Sequence, residues 1–351
     1  MKYQILQGDN RETLKTLADN SIDAIVTDPP YGIDFLGKAW DANTGALETY
    51  QECLRVLKPG GHILAFSAAR TYHYLAVTLE QAGFEIRDQI MWIYSSGFPK
   101  AQAVKGFEGW KTSLKPAHEP IALARKPTKT SIKANMEKWA VGALNIDATR
   151  IPYENQKDID TYLNNKRGPM ERGNDEDGKN IRMFNGETGF KAVKREVTVE
   201  QDLPELGRFP SNVIGEIEAD YQKYFYCPKV SRRERHIGHE TPPAMFGGVQ
   251  GCYDENGERY AVGLDARKGN VGNNHPTVKP IELMKYLIKL VTPPGGIVLD
   301  PFNGSGSTGC AAVALGHEYI GCELDPAYVE ISKRRIEKYN KSENNFDALF
   351  E

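Results

Sequence analysis

Thr27 to Gly32 read TDPPYG and follow directly on the apolar run Ile22–Val26. A carboxylate, two prolines and a phenol thus stand at the end of what reads as a buried strand. Proline continues neither a sheet ladder nor a helix, so Pro29 and Pro30 stop the strand and hold the next residues rigid and extended. Asp28 and Tyr31 are therefore expected to be presented rather than packed. An Asp-Pro pair alone is ordinary turn punctuation. The four residues in this order ask for a partner motif elsewhere in the chain.

That partner is LDPFNGSGSTG, Leu299 to Gly309. It follows a strand-like run, opens a helical pattern, and fits G-x-G-x-x-G with Gly304, Gly306 and Gly309. Glycines there let the backbone approach a ligand, and the helix start at Thr308 offers unpaired N–H groups. Glu323 comes 19 residues after Gly304, at the end of the next strand-like run, where it can accept hydrogen bonds from both hydroxyls of a ribose. The pattern suits a nucleoside cofactor and leaves two open, a dinucleotide or S-adenosylmethionine.

The elements that must position these residues alternate. Strand-like runs fall at Tyr3–Gln7, Ile22–Val26, His62–Ser67, Glu85–Tyr94 and Pro120–Arg125. Among them lie a short helix from Arg11, a helix ending at Leu57–Gly61, and one over Thr71–Ala82 stopped by Gly83. After Pro280 come a helix over Ile281–Val291, a strand over Gly296–Asp300, a helix over Thr308–Leu315, a strand over Glu318–Leu324 and a final helix from Pro326. This predicts an α/β fold with a mostly parallel sheet covered on both faces. From Glu154 to Gln201 the chain is polar, with too little apolar surface to offset its ordering entropy, so part of it is expected to be mobile until a partner arrives. Leu203–Arg267 suits a small irregular domain.

The 351 residues suffice for one large core with a smaller inserted part. No apolar run approaches the roughly 18 residues of a membrane span, and the N-terminus lacks a signal-peptide pattern. A cytoplasmic protein with no membrane partner is expected. Five cysteines without a C-x-x-C pair predict reduced thiols, with neither a disulfide framework nor a zinc site. The net charge of −3 conceals local basic stretches. Residues 100–150 hold ten Lys or Arg against four Asp or Glu, and Lys229, Arg232, Arg233 and Arg235 cluster around a single Glu234. Such patches suit phosphate even on an acidic chain.

Together DPPYG, HPTVKP (His275–Pro280), DPFNGSGSTG and GCELDPAYVEIS (Gly321–Ser332) resemble the motifs of the amino-group DNA methyltransferases, which modify adenine N6 or cytosine N4. Their order is similar to the beta-type arrangement of that family, with the catalytic motif first, a target-recognition region next and the cofactor motif last. The resemblance covers roughly Met1–Arg150 and Asn274–Asn340. RFPSNVI and YFYCPKVSRRER are also similar to stretches of bacterial and phage members, whereas the middle has no general family motif. The implied fold is a Rossmann-like S-adenosylmethionine-dependent methyltransferase sheet, circularly permuted, with an inserted target-recognition region. Residues 1–152 would be its catalytic part, 153–270 the recognition region and 271–351 the cofactor-binding part. One sheet would then be closed by the two chain ends, and neither terminal half is expected to fold alone.

The resemblance also implies a chemistry. Asp28 and the carbonyl of Pro29 would accept the hydrogens of an exocyclic amine, with Pro30 keeping the segment rigid and Tyr31 stacking on a flipped-out base. Asp300, Phe302, Asn303, Gly304 and Gly306 would surround the methionine part of S-adenosylmethionine. Glu323 would hold the ribose, Asp9 the adenine amine, and Thr277 and Lys279 the carboxylate end. His275 reads as a loop histidine without a ligand role, and Lys279 suits a solvated position equally well. Trp40 would lie in a loop near the flipped base. No metal is needed.

Asp at the first position of DPPY leans toward adenine, with cytosine N4 as the alternative. The partner would be double-stranded DNA, with Lys229, Arg232, Arg233 and Arg235 mostly on phosphate. A homodimer and a cognate restriction endonuclease are both compatible with the sequence. RNA or a protein amide would keep the chemistry, although protein-amide enzymes usually carry Asn in place of Asp28. An NAD-dependent oxidoreductase would leave DPPYG without a role.

Overall fold

In the computed structural model the described residues are 3–33, 43–94, 101–114, 116–165, 207–215, 232–239, 252–253, 259–260, 273, 275 and 277–347. In chain order the elements are β1 (Tyr3–Gln7), α1 (Asn10–Thr13), β2 (Ile22–Thr27), α2 (Leu47–Val56), β3 (Leu57–Phe66), α3 (Tyr72–Ala82), β4 (Glu85–Ile93), β5 (His118–Arg125), α4 (Ile132–Trp139) and α5 (Gln156–Asn165). There follow β6 (Val213–Gly215), α6 (Arg232–Arg235), the two-residue strands β7 (Cys252–Tyr253) and β8 (Arg259–Tyr260), α7 (Ile281–Val291), β9 (Ile297–Asp300), α8 (Ser307–Ala314), β10 (Glu318–Glu323) and α9 (Pro326–Asp347).

The chain divides into two compact units, one of Met1–Thr149 with Ser211–Glu351 and one of Arg150–Pro210. In the first, eight strands form one sheet in the order β1-β10-β9-β2-β3-β5-β4-β6. Pairing is parallel from β1 to β3, antiparallel between β3 and β5 and between β5 and β4, and parallel again between β4 and β6. Every residue of β2 is buried, as a strand covered on both faces requires. From Ala24 on its side chains alternate: Ala24 and Val26 join the core beneath α7 and α8, and Ile25 joins the one beneath α2 and α3, as does Ile22 ahead of the shift in register.

The two ends of the chain close this sheet, as the motif order implied. Tyr3 pairs with Tyr319 and Ala24 with Val298, so the C-terminal strands β9 and β10 lie between the N-terminal β1 and β2. Asp23 crosses the seam from within β2. Its carboxylate accepts from Lys58 Nζ at 2.6 Å and from the Ile297 amide at 2.8 Å.

Four features depart from the sequence reading. Helix α2 ends at its C-cap Leu57 as expected, but β3 starts there at once, ahead of the expected His62, because Leu57 pairs with Ile22 and the break in register before His62 accommodates Pro59 and Gly60. The strand Pro120–Arg125 runs antiparallel, since β5 returns along β3 and β4. Helix α4 was not anticipated; its buried residue is Asn135, whose amide donates to the carbonyls of Pro59 and Val141. The stretch 153–270, read as one inserted region, does not stay apart from the sheet: Val213–Gly215 adds β6 to the edge of β4, and Glu234 accepts from the Ile281 amide at 2.5 Å.

The second unit holds a helix, α5, inside the stretch read as lacking periodicity. Asp158 forms a buried ion pair with Arg208, whose guanidinium lies 5.0 Å from the Tyr153 ring centroid. The expectation of mobility for residues 166–201 falls outside the described residues. Cys53, Cys310 and Cys322 are buried free thiols. Among the described residues no helix is long and apolar enough to cross a membrane.

A chain truncated after Thr149 leaves β1 and β2 without β10 and β9. Circular dichroism on that fragment should show no cooperative thermal transition, and adding the complementary fragment from Ser211 should restore one.

Candidate active site

β2 ends at Thr27, and Asp28 stands at the C-terminal edge of the sheet. Its Oδ1 accepts from the Tyr31 hydroxyl at 2.8 Å, and its Oδ2 accepts from Lys279 Nζ at 2.6 Å. The same hydroxyl lies 2.7 Å from Glu119 Oε2 and accepts from Lys279 Nζ at 3.0 Å. A phenol has one proton to donate, so Tyr31 serves one carboxylate at a time. Lys279 Nζ is also 3.4 Å from Glu119 and 4.8 Å from the centroid of the Phe66 ring.

The sequence left Lys279 either solvated or at the carboxylate end of a cofactor; its side chain is 8% exposed and its ammonium lies on Asp28. Burial by itself would discharge it, but Asp28 and Glu119 outweigh that cost and hold the ammonium above the usual lysine range. Tyr31 is likewise less presented than expected. It packs against the core, and burial together with the two carboxylates raises its hydroxyl well above the ordinary tyrosine value.

Glu119 was missed in the sequence. Because β5 is antiparallel to β3, pairing Ile121 with Phe66, the start of β5 arrives at the edge where β2 ends. The only signal was an acid ahead of the apolar run PIALA. Tyr94, just past β4, joins the group through a hydrogen bond to Glu119, with burial as the larger cause of its raised pKa.

The glycine-rich loop after β9 is held from within. Asp300 Oδ1 accepts from Thr27 Oγ1 at 2.7 Å and from the Phe302 amide at 3.0 Å, and Oδ2 accepts from Thr308 Oγ1 at 2.7 Å. Burial lifts this carboxyl to about 6 against those donors. Asn303 also points inward, with Tyr319 OH on its Oδ1 at 2.8 Å. Both were expected to face the cofactor; their polar atoms instead brace the loop. Phe302 packs on the core beside Tyr50, with ring centroids 6.4 Å apart. Beneath the loop, the fully buried Arg335 donates to the Ser305 carbonyl at 2.6 Å.

What remains open to a ligand is the rim. Gly304 (φ 50°) donates its amide to Glu323 Oε2 at 2.7 Å, and Gly306 (φ 78°) caps α8. Glu323 Oε1 accepts from the Asp325 amide, and burial raises its pKa to about 7. The Gly8 amide donates to the Glu323 carbonyl at 2.9 Å, which sets Asp9 beside it. Asp9 caps α1 and pairs with Arg11, whose hydrogen bonds hold its carboxyl below the usual range.

His275 walls this rim. A Cβ on Gly304 would come within 2.8 Å of its Nε2, and its Nδ1 lies 2.5 Å from the Thr277 carbonyl. Burial lowers its pKa to about 4, leaving the ring neutral at pH 7. It is thus a packed element of the loop's surroundings. Arg235 donates to the His275 carbonyl at 3.1 Å and is half-buried. Arg232 and Arg233 lie on α6, and Lys229 and Trp40 fall outside the described residues.

Asp28, Tyr31, Lys279 and Glu119 thus form one cluster, and Asp9, Gly304 and Glu323 another. The bond between Thr27 and Asp300 joins them. The first can hold hydrogen-bond donors against paired carboxylates. The second offers two carboxylates on adjacent strand ends beside glycine amides, which fits the hydroxyls and amine of a nucleoside.

A family model described as DNA methylase matches residues 22–334. The type II methyltransferase M.HpaI of Haemophilus parainfluenzae is 25% identical over 362 residues, covering 100% of this chain and 78% of that protein. The DNA adenine methyltransferase YhdJ of Escherichia coli (strain K12) is 25% identical over 340 residues, covering 95% and 82%. Among solved structures, the PvuII DNA methyltransferase (cytosine-N4-specific) aligns with a TM-score of 0.49 and 16% identity, covering 98% of this chain and 92% of that one.

Replacing Lys279 with Met leaves Asp28 and Glu119 without their cation. Urea denaturation at pH 8 should show a loss of about 3–5 kcal/mol.

Proposed function

The chain belongs to the DNA methylase family, and from that premise we propose that it methylates adenine N6 in double-stranded DNA. It is a DNA amino-methyltransferase, and S-adenosylmethionine is the methyl donor of its family. The observation that carries the adenine reading is a carboxylate, Asp28, at the head of DPPY, held by Lys279 at 2.6 Å. YhdJ, named for adenine, agrees with it. Cytosine N4 is the second reading, since the two amines are chemically alike.

The donor's site is proposed at the rim of the glycine loop, with Glu323 on the ribose, Asp9 on the adenine amine and the backbone of Phe302–Gly306 along the methionine part. Thr277 is placed at the carboxylate end. When bound, S-adenosylmethionine supplies a methyl on a sulfonium, an electrophile with a neutral leaving group.

The chain's own residues prepare the amine. An exocyclic amine is a weak nucleophile because its lone pair is delocalised into the ring. Asp28 and the carbonyl of Pro29 accept its two hydrogens and favour the pyramidal form, and Pro30 fixes the spacing. Misplacing an acceptor by ~1 Å costs on the order of a hundredfold in rate. The hydrogen bond from Tyr31 to Asp28 can yield to the amine because Glu119 gives the phenol a second acceptor. Lys279 keeps Asp28 in place meanwhile. The methylated amine sheds its surplus proton toward Asp28, the nearest carboxylate. The Tyr31 ring offers a stacking face, worth roughly 1–3 kcal/mol, against the few kcal/mol that flipping the base costs. Lys229, Arg232 and Arg233 are assigned to DNA phosphates, and Arg235, bound to His275, to bracing that loop.

The purified protein should transfer labelled methyl from S-adenosylmethionine to mixed-sequence duplex DNA, and nucleoside digestion should place the label on N6-methyladenine. Asp28→Ala should lower incorporation by at least about a hundredfold. Label on N4-methylcytosine would keep the mechanism and change the base.

A second test reads Glu323. Its carboxyl titrates at about 7 without ligand, and ribose hydroxyls favour the ionised form. Protons therefore compete with the cofactor below that value. Calorimetric affinity for S-adenosylmethionine should tighten from pH 6 to pH 8, and Glu323→Gln should flatten the dependence.

A further inference from the structure

The connection from β4 to β5 leaves and rejoins the sheet at its catalytic edge. β4 ends at Ile93, and β5 begins at His118, one residue before Glu119. Within it, residues 101–114 form a hairpin closed on itself. Ala103 and Lys111 pair in an antiparallel bridge, the Thr112 amide donates to the Gln102 carbonyl at 3.0 Å, and the Val104 amide donates to the Trp110 carbonyl at 3.0 Å. Two successive turns make the tip: the Phe107 amide donates to the Val104 carbonyl at 3.1 Å and the Trp110 amide to the Phe107 carbonyl at 3.2 Å. The third residue of each turn is a glycine with positive φ, Gly106 at 85° and Gly109 at 81°. A Cβ on either would meet nothing within 4 Å, so these glycines serve the shape of the backbone and not its packing.

This ordered tip holds apolar side chains out of the core. Phe107 is 63% exposed, Trp110 71% and Leu114 91%. Large apolar side chains held exposed in this way mark a contact surface. Its charge selects the partner: residues 101–114 carry Lys105 and Lys111 against Glu108 alone. Aromatic faces set among lysines suit a stacked polyanion, whereas a second copy would bring like charge against like.

We propose that this hairpin is a wedge that enters the duplex beside the target. Trp110, with Phe107, fills the gap left in the stack by the extruded base, and the lysines rest on flanking phosphates. Inserted apolar side chains stabilise unstacked steps in this way. The proposal rests on the reading of duplex DNA as substrate.

The test uses the full-length Trp110→Ala protein and the Phe107→Ala/Trp110→Ala double variant, on the duplex that the labelling experiment finds methylated. Each is assayed on that duplex and on one with a mismatch opposite the target base. A parallel duplex with 2-aminopurine at the target reports extrusion by its fluorescence. The wedge predicts a fall in kcat/KM of at least about tenfold on the paired duplex, a lost fluorescence rise, and recovery to within about twofold of wild type on the mismatched one. Cofactor affinity and melting temperature should not move. An equal loss on both duplexes, or none on either, would overturn the wedge. So would a dimer that dissociates in the variants while methylation is unchanged, which would give the surface to a second copy. Wild-type protein that methylates no duplex would instead overturn the functional reading beneath it.

Discussion

A buried hydrogen bond 2.7 Å long, from Thr27 Oγ1 to Asp300 Oδ1, joins the two halves of the site. Thr27 is the last residue of β2 and precedes Asp28; Asp300 is the last of β9 and precedes the glycine loop. The other Asp300 oxygen takes the hydroxyl of Thr308 in the first turn of α8, so one carboxylate ties the catalytic strand, the loop and its helix together. Burial raises the pKa of Asp300 and three donors oppose the rise, so the ion is retained by its partners. Since β2 and β9 also pair directly, the offset between the amine's acceptors and the loop follows from sheet register. Reactions that depend on placement to within an ångström favour such a rigid seam.

Electrostatics set the second constraint. An ion taken out of water costs several kcal/mol, and a buried pair offsets this only with good geometry and further hydrogen bonds. Lys279 meets that condition with two carboxylates, a phenol oxygen and the face of Phe66 around one ammonium. Its position is itself held, because Pro280 follows it as the N-cap of α7. The cluster carries two acids for one base, which leaves acceptor capacity for an incoming amine.

Chain order matters less than pairing. β9 and β10 enter the sheet between β1 and β2 although more than half the chain separates them. Parallel neighbours need long crossovers in any case, so the link can be cut in one place and made in another while strand positions are kept. The antiparallel β5 breaks the parallel pattern and carries Glu119 to the edge where parallel strands end. Its connection to β4 emerges at the same edge.

Much of this was legible in the residues. DPPYG after an apolar run marked the end of a buried strand, G-x-G-x-x-G marked the loop entering a helix, Glu323 fell at a strand end, and α7 spans Ile281–Val291 as its periodicity predicts. Each follows from rules that act over a few neighbouring residues: proline lacks an N–H, glycine tolerates positive φ, and apolar spacing repeats with the helix. The direction of β5, the inward turn of Asp300 and Asn303, the return of Val213–Gly215 as β6 and the meeting of Lys279 with Glu119 were not legible. Each depends on a partner remote in sequence, and a buried charge takes its role from whichever opposite charge the fold brings to it. The sequence by itself determined the chemistry at each strand end; only the tertiary structure decided which ends share a site, because register and burial are properties of the assembled sheet.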